Sequence, residues 1–137
     1  MKRFSLLLTA LLLSMLIFPN SELNSKSDKD YVKVIYFHGD FRCTTCNRLE
    51  KFTKETVRET FKKELKNQLV KLEIINFDKD ENKHFTDDYN LFNQALIVVK
   101  YKNGKQKEWK NLEKIWEYSG DQSKFSDYVE KEIKKYL

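Results

Sequence analysis

The sequence predicts one α/β domain, in which helices flank a mixed four-stranded sheet and the elements follow the order β-α-β-α-β-β-α. Three runs rich in β-branched and aromatic residues alternate with charged stretches of helical periodicity. This alternation favours parallel pairing of the strands on either side of a helix. An Asn-Gly turn after the third run predicts a tight hairpin, which adds an antiparallel strand at the edge of the sheet.

The first half of the domain contains two strands and two helices. Residues 31–37, YVKVIYF, predict the first strand, because β-branched and aromatic residues are followed there by the turn-forming HGD. No residue breaks a helix between Thr44 and about Gln68, and an apolar stripe runs along this segment. The second strand is predicted at residues 70–78, VKLEIINFD. A shorter helical pattern at residues 82–92 predicts a helix with Phe85, Tyr89 and Phe92 on one face.

The second half contains a hairpin and a last helix. ALIVVKY, residues 95–101, predicts the third strand, and QKEWK, residues 106–110, predicts an edge strand after the Asn-Gly turn. The last helix is expected to be capped by Ser119 or Asp121. Its apolar face is expected to comprise Phe125, Tyr128, Val129, Ile133 and Tyr136. Three aromatic residues near the edge strand are expected to pack against the core rather than line a partner groove: Trp109, Trp116 and Tyr118.

The N-terminus predicts export. Residues 1–20 begin with the cationic MKR, and residues 4–18, FSLLLTALLLSMLIF, carry no charge. This uncharged run suits a signal peptide and is shorter than the roughly 20 residues of a comfortable membrane span. A signal peptide cleaved after about residue 20 is preferred, and an uncleaved anchor through residues 4–18 is the alternative. Residues 21–30 then form a polar linker, and residues 31–137 form a domain outside the cytoplasm, where disulfides persist.

Charge and cysteine content exclude two classes of protein. The net charge of +5 is spread over interleaved Lys and Glu residues, as in ETVRETFKKELK, which is typical of solvated helix faces. No nucleic-acid partner is therefore expected. Two cysteines cannot form a disulfide-rich scaffold, so the fold must depend on burial of a core. A monomeric domain is expected.

The two cysteines lie where the first strand ends and the long helix begins, in the sequence Cys43-Thr44-Thr45-Cys46. Free backbone N–H groups and the helix dipole stabilise an anion at this place, which lowers the pKa of a thiol. Arg42 is expected to act in the same direction. Cys43 would then attack a partner disulfide and Cys46 would resolve the mixed disulfide. Thr44 and Thr45 are expected to cap the helix.

Alternative interpretations of the cysteine pair remain open. A structural staple would close a very short loop and add little stability. A dithiol that binds Zn(II), Cu(I) or arsenite without turnover is the stronger rival, although a closed zinc site needs four ligands and only His38 and His84 could complete it. No resident metal is expected. A plain interaction module would tolerate loss of Cys43.

The order of elements and the C-x-x-C that opens a helix resemble the thioredoxin-like family over residues 31–137. The resemblance implies a three-layer sandwich and an exported thiol–disulfide oxidoreductase whose partners are protein thiols and disulfides. YFHGDFRCTTCNRLEKFTKET, NFDKDENKHF, KYKNGK and KNLEKIWEY are similar to one bacterial branch, named for nitrophenyl-compound nitroreductase subunits and found in arsenic-resistance gene clusters.

This branch implies a periplasmic protein, or one anchored on the outer face of the cytoplasmic membrane, that exchanges electrons with a membrane thiol-transfer protein. No organic cofactor is expected, because the disulfide is itself the redox group. No flavin site is recognisable in the sequence, so nitroreductase activity is not expected of this chain alone.

The chain departs from the family pattern at three places. The resemblance assigns substrate binding to Gln94 and Ala95, in the turn FNQAL, but the family's cis-proline is absent and the chain's one proline is Pro19. A trans turn is expected, because a cis bond without proline costs about 3 kcal/mol. Phe37 stands where many thioredoxins bury an acid, for which Asp40 or Glu50 could substitute. Phe41-Arg42 replaces the usual aromatic residue before the first cysteine.

Overall fold

The computed structural model describes residues 29–137, so the expected signal peptide or anchor and most of the expected linker lie outside the described residues. The strands are β1 (Tyr31–His38), β2 (Val70–Asn76), β3 (Ala95–Lys102) and β4 (Lys105–Asn111). The helices are α1 (Thr44–Thr60), α2 (Lys62–Lys66), α3 (His84–Asp88) and α4 (Gln122–Tyr136). Within these residues no helix is both long and apolar enough to cross a membrane.

The four strands form one mixed sheet in the order β2-β1-β3-β4, which confirms the predicted α/β fold. β1 pairs with β2 in parallel, whereas β3 is antiparallel to both β1 and β4. Parallel pairing across a helix therefore occurs once, between the strands that flank α1. This helix of 17 residues is about 25 Å long, which returns the chain to the starting end of β1. The five residues of α3 are too few for such a return.

The core has one cluster on each face of the sheet. α1 and α4 cover the first face, where Phe52 and Phe125 meet edge to face with ring centroids 5.5 Å apart. A hydrogen bond of 2.7 Å between Thr56 and Ser126 links the same two helices. The second face is covered by a smaller aromatic cluster that includes Phe37, Phe85, Tyr89 and Trp109. Tyr118 and Trp116 pack against the first cluster, as expected.

Two local predictions in the C-terminal half are confirmed, namely the Asn-Gly hairpin turn and a cap at the start of the last helix. Asn103 and Gly104 both have positive φ, at 52° and 70°, as the tight hairpin requires. Asp121 caps α4, because its carboxylate accepts a hydrogen bond from the Lys124 backbone N–H at 3.1 Å. Ser119 is not the cap.

The predicted long helix is interrupted at Phe61, where φ is −110° and ψ is 34°. The Phe61 side chain is 2% exposed and belongs to the core cluster on the first face of the sheet. The prediction for residues 82–92 was also too long, since only α3 and a short 3₁₀ turn form there. Phe92 does not join Phe85 and Tyr89, because its side chain is 97% exposed.

Candidate active site

A disulfide joins Cys43 to Cys46 at the end of the molecule where β1 stops and α1 starts. The Cα atoms of the two cysteines are 5.0 Å apart, within the usual range for a disulfide. Cys43 is partly exposed, whereas Cys46 is only 2% exposed. A partner can therefore approach the first sulfur from solvent, while the second is covered.

The sulfur of Cys43 is itself the N-cap of α1. Cys43 has extended backbone geometry, and its Sγ accepts a hydrogen bond from the Cys46 backbone N–H at 3.0 Å. The prediction that Thr44 and Thr45 cap the helix was wrong, because the helix begins at Thr44. A thiolate at Cys43 would retain this backbone donor, and hydrogen bonding to the charged form lowers the pKa of a thiol.

Arg42 lies beside the cysteines and is held by an acid from the second turn of α1. Its Nη2 donates to Oε2 of Glu50, and Glu50 Oε1 accepts from Lys54 at 2.8 Å. Burial opposes the charge on Glu50, but the hydrogen bonds from Lys54 and Arg42 outweigh it and hold the pKa of Glu50 below its usual value. Within residues 29–137, Arg42 Nε is the buried side-chain polar atom that lacks a hydrogen-bond partner.

Tyr36 is a site residue that sequence reasoning missed. Its hydroxyl is buried and donates to the Cys46 carbonyl at 2.8 Å, and burial raises the pKa of Tyr36. Phe37, the next residue in β1, lies on the opposite face of the sheet and packs against Phe85 and Tyr89. Successive strand residues point to opposite faces of the sheet. Tyr36 therefore faces α1 and reaches the Cys46 carbonyl, whereas Phe37 faces the aromatic cluster on the other side.

The loop between β1 and Cys43 is fastened to the end of β2. The Asp40 backbone N–H donates to Asp78 Oδ2 at 2.7 Å, and Asn76 donates to Asp40 Oδ1 at 2.7 Å. A Cβ at Gly39 would lie 2.7 Å from Asp78 Oδ2, so a side chain at this position would force a shift. The bond from Asn76 holds the pKa of Asp40 below its usual value. Of the two acids considered, only Glu50 lies on the cysteine-bearing helix.

The turn with the predicted substrate-binding residues meets the loop before the cysteines. Gln94 Nε2 donates to the Phe41 carbonyl at 3.1 Å, while Ala95 is buried and lies opposite Phe37 in the sheet register. All peptide bonds in residues 29–137 are trans, as expected for the 92–96 turn. Gln94 and Ala95 also line a groove of about 510 Å³, together with Phe92, Trp109, Asn111, Glu113 and Trp116.

Two exposed aromatic side chains lie at the disulfide end. Phe41 is 79% exposed and Phe92 is 97% exposed. The other large apolar side chains that are exposed in residues 29–137, Leu69 and Leu137, line a different groove near the start of β1. Within residues 29–137, the exposed aromatic rings therefore lie at the same end of the molecule as the disulfide.

The histidines are engaged with residues other than the cysteines. His38 Nδ1 lies 2.9 Å from the Gly39 carbonyl oxygen, and the His84 ring packs against Phe85 at a tilt, with ring centroids 4.1 Å apart. Among residues 29–137 no three His, Cys, Asp or Glu side chains are grouped so that they could hold a metal ion.

Element order, sheet order and the disulfide at the start of α1 agree with a thioredoxin-like fold. No protein-family model matches the chain, and no curated protein matches it. The solved structures it resembles include Fasciola hepatica thioredoxin, at 14% identity and a TM-score of 0.49, covering 82% of this chain and 88% of that one.

Two further thioredoxins resemble the chain in the same way. The germline-specific thioredoxin Deadhead of Drosophila melanogaster is 16% identical with a TM-score of 0.44, covering 78% of this chain and 84% of that one. Thioredoxin O2 of Arabidopsis thaliana, in its oxidised state, is 12% identical with a TM-score of 0.41, covering 70% and 76%.

Proposed function

We propose that this protein is an exported thiol–disulfide oxidoreductase that exchanges the Cys43–Cys46 disulfide with thiols and disulfides of partner proteins. The observation that carries the proposal is the position of the disulfide, which caps a helix with a partly exposed first sulfur and a covered second one. The helix N-terminus stabilises a thiolate at the first sulfur, and the second is within bonding distance to resolve an intermediate.

The exchange reaction balances without a further reagent. In the reducing direction the Cys43 thiolate attacks a partner disulfide, forms a mixed disulfide and releases the first partner thiolate, which takes up a proton. The Cys46 thiolate then attacks Cys43 Sγ, so that the Cys43–Cys46 bond forms and the second partner thiolate leaves. Two electrons pass from the dithiol to the partner. The oxidising direction is the reverse, and no bound organic cofactor takes part in either.

Partner binding is proposed to involve the surface that surrounds Cys43. Gln94 and Ala95 lie at the start of β3, and the hydrogen bond from Gln94 to Phe41 keeps that turn beside the loop before the cysteines. The exposed rings of Phe41 and Phe92 give this surface an apolar component. Exposed apolar patches of this kind are typical of protein-binding surfaces.

We further propose that the domain acts outside the cytoplasm, in the periplasm or on the outer face of the cytoplasmic membrane. The charged and apolar pattern of residues 1–20 supports export. A membrane thiol-transfer protein would be the electron donor or acceptor there. The resemblance to the bacterial branch from arsenic-resistance clusters supports the same placement.

Exchange variants provide the test. We expect Cys46→Ser to accumulate a mixed disulfide with a model disulfide-bonded protein, because the resolving thiol is absent. Cys43→Ser should form no adduct and should lose exchange activity. Full activity in Cys43→Ser would contradict the proposal. Tight binding of arsenite or Zn(II) by reduced wild-type protein, without exchange, would favour the dithiol-binding alternative.

A further inference from the structure

The contact between Arg42 and Glu50 connects the residue before the first cysteine with the helix that carries the second. Cys46, Glu50 and Lys54 are spaced four residues apart, so they lie along one face of α1. Helical side chains lean toward the N-terminus, which directs the Glu50 carboxylate toward the turn that contains Cys46. Arg42 reaches the same carboxylate from the loop.

Both members of this pair are shielded from solvent. The side chain of Glu50 is 14% exposed and that of Arg42 is 29% exposed. Charges in such surroundings act on their neighbours more strongly than charges in bulk water do. Tyr36, whose hydroxyl binds the Cys46 carbonyl, is close enough for both charges to act on its pKa. The pair thus lies near the turn of α1 that contains Cys46.

The buried Nε of Arg42 has no acceptor in the oxidised protein. Leaving a buried donor unpaired costs about 1–3 kcal/mol, so stability alone does not explain this arrangement. Reduction turns the disulfide into thiol and thiolate sulfurs, and a thiolate is a hydrogen-bond acceptor with a full negative charge. Arg42 directly precedes Cys43, so reduction would create such an acceptor on the neighbouring residue.

We propose that Glu50 is a positioning residue of the dithiol, which holds the Arg42 guanidinium and offsets part of its charge, and thereby limits how strongly Arg42 stabilises the reduced form. This inference rests on the proposed function and adds a determinant of redox potential to it. A stronger cation beside the thiolate favours the reduced state and makes the protein more oxidising. A weaker one makes it more reducing.

The test is a redox titration of full-length wild type, Glu50→Gln and Arg42→Gln in glutathione buffers. Gln keeps a hydrogen-bond acceptor for Arg42 but removes the charge. We expect Glu50→Gln to shift the equilibrium with glutathione about tenfold toward the dithiol, which is about 30 mV. Arg42→Gln should shift it in the opposite direction by a similar factor. Exposed residues of α1 provide matched controls, Glu59→Gln and Arg58→Gln, which should leave the potential unchanged.

The double variant tests whether Glu50 acts through Arg42. In the Arg42→Gln background, Glu50→Gln should produce less than half of its effect in wild type. An equal effect in both backgrounds would mean that Glu50 acts directly on the sulfurs, which overturns the positioning role. The pH dependence of alkylation provides a second readout, in which the thiolate midpoint of Cys43 should fall in Glu50→Gln and rise in Arg42→Gln.

A milder variant keeps the proposal testable if Glu50→Gln does not fold. Lys54→Gln removes the second cation on Glu50 at a more exposed position, which leaves the carboxylate to Arg42 alone. It should make the protein more reducing than its control, Lys51→Gln. Unchanged potentials in the foldable variants, with normal wild-type titration, overturn this inference and leave the proposed function intact. Absence of any titration in wild type overturns both.

Discussion

Tyr36 connects the first strand to the second cysteine through a single buried hydrogen bond. Its hydroxyl lies 2.8 Å from the Cys46 carbonyl oxygen, and its ring is part of the core beneath α1. The contact fixes the first turn of α1 against the sheet. The position of the cysteine pair therefore depends on a strand residue ten positions before Cys46.

Replacing this hydroxyl should destabilise the fold without stopping exchange. Tyr36→Phe keeps the ring but removes the hydrogen bond, so we expect the free energy of unfolding to fall by about 1 kcal/mol. Chemical denaturation of the oxidised protein measures this change. Tyr31→Phe is the control, because its ring stacks on Tyr101 and its hydroxyl has no comparable buried bond. Equal stability of Tyr36→Phe and wild type would contradict the role assigned to the bond.

Two largely buried carboxylates contribute to how stability responds to acid. Burial opposes the charge on Glu50 and Glu132, but hydrogen bonds from lysine or arginine outweigh it and lower the pKa of both. A carboxyl group with a lowered pKa in the folded state contributes stability above its unfolded pKa of about 4.3. This contribution is lost as the pH falls through the folded value.

We therefore expect the free energy of unfolding to decline as the pH falls below about 4.3. Denaturant midpoints measured from neutral to acidic pH would follow the decline. The double variant Glu50→Gln, Glu132→Gln should lose less stability over the same range than wild type loses. A decline of the same size in the double variant would show that other groups are responsible.

At the scale of elements, contact with α4 holds α1, the cysteine-bearing helix, against the sheet. Phe125 is fully buried and packs edge to face against Phe52. Phe125→Ala should cost about 3–5 kcal/mol, because it removes a large side chain and leaves a cavity. Thermal or chemical denaturation would measure the loss. A fall in the free energy of unfolding of less than about 1 kcal/mol would mean that the contact between these two helices contributes little to the stability of the core.

Elements with a regular buried stripe were predictable from the sequence, and those fixed by tertiary contacts were not. α4 follows its apolar spacing, and the hairpin follows Asn103 and Gly104, where local chemistry decides the conformation. The break at Phe61 and the exposure of Phe92 depend on what packs nearby, which spacing does not encode.

The same distinction holds for the site. The cysteine pair was visible as a motif, and its place at the start of a helix followed from the neighbouring patterns. The contact of Arg42 with Glu50 could not be predicted, because it depends on the direction of two long side chains. Tyr36 was missed because the face of the sheet to which each residue of β1 points depends on the strand register. A shift of one residue exchanges the two faces.

At the scale of the whole molecule, the exposed aromatic rings of residues 29–137, Phe41 and Phe92, both lie at the end that carries the Cys43–Cys46 disulfide. Replacing both Phe41 and Phe92 with Ser should slow exchange with a disulfide-bonded protein about tenfold, because burial of each ring in a complex is lost. Exchange with dithiothreitol should not change, since a small thiol needs no docking surface. Stopped-flow kinetics with both substrates would measure the difference.

Leu69→Ser is the matched control for that experiment. Leu69 is also exposed and apolar, but it lies in a different groove, near the start of β1. It should affect neither reaction. Equal slowing of the protein and dithiothreitol reactions by the aromatic variants would point to a change in the disulfide itself and would contradict a docking role.

The central claim is that Cys43 and Cys46 form a redox couple, and one measurement tests it most directly. The purified full-length chain would be equilibrated in glutathione and dithiothreitol buffers, and the fraction of disulfide would be followed by thiol trapping and mass spectrometry. We predict a reversible two-electron transition, in which the ratio of oxidised to reduced protein changes tenfold for about 30 mV. Thiols that stay reduced across the whole range, while binding arsenite or Zn(II), would contradict the account.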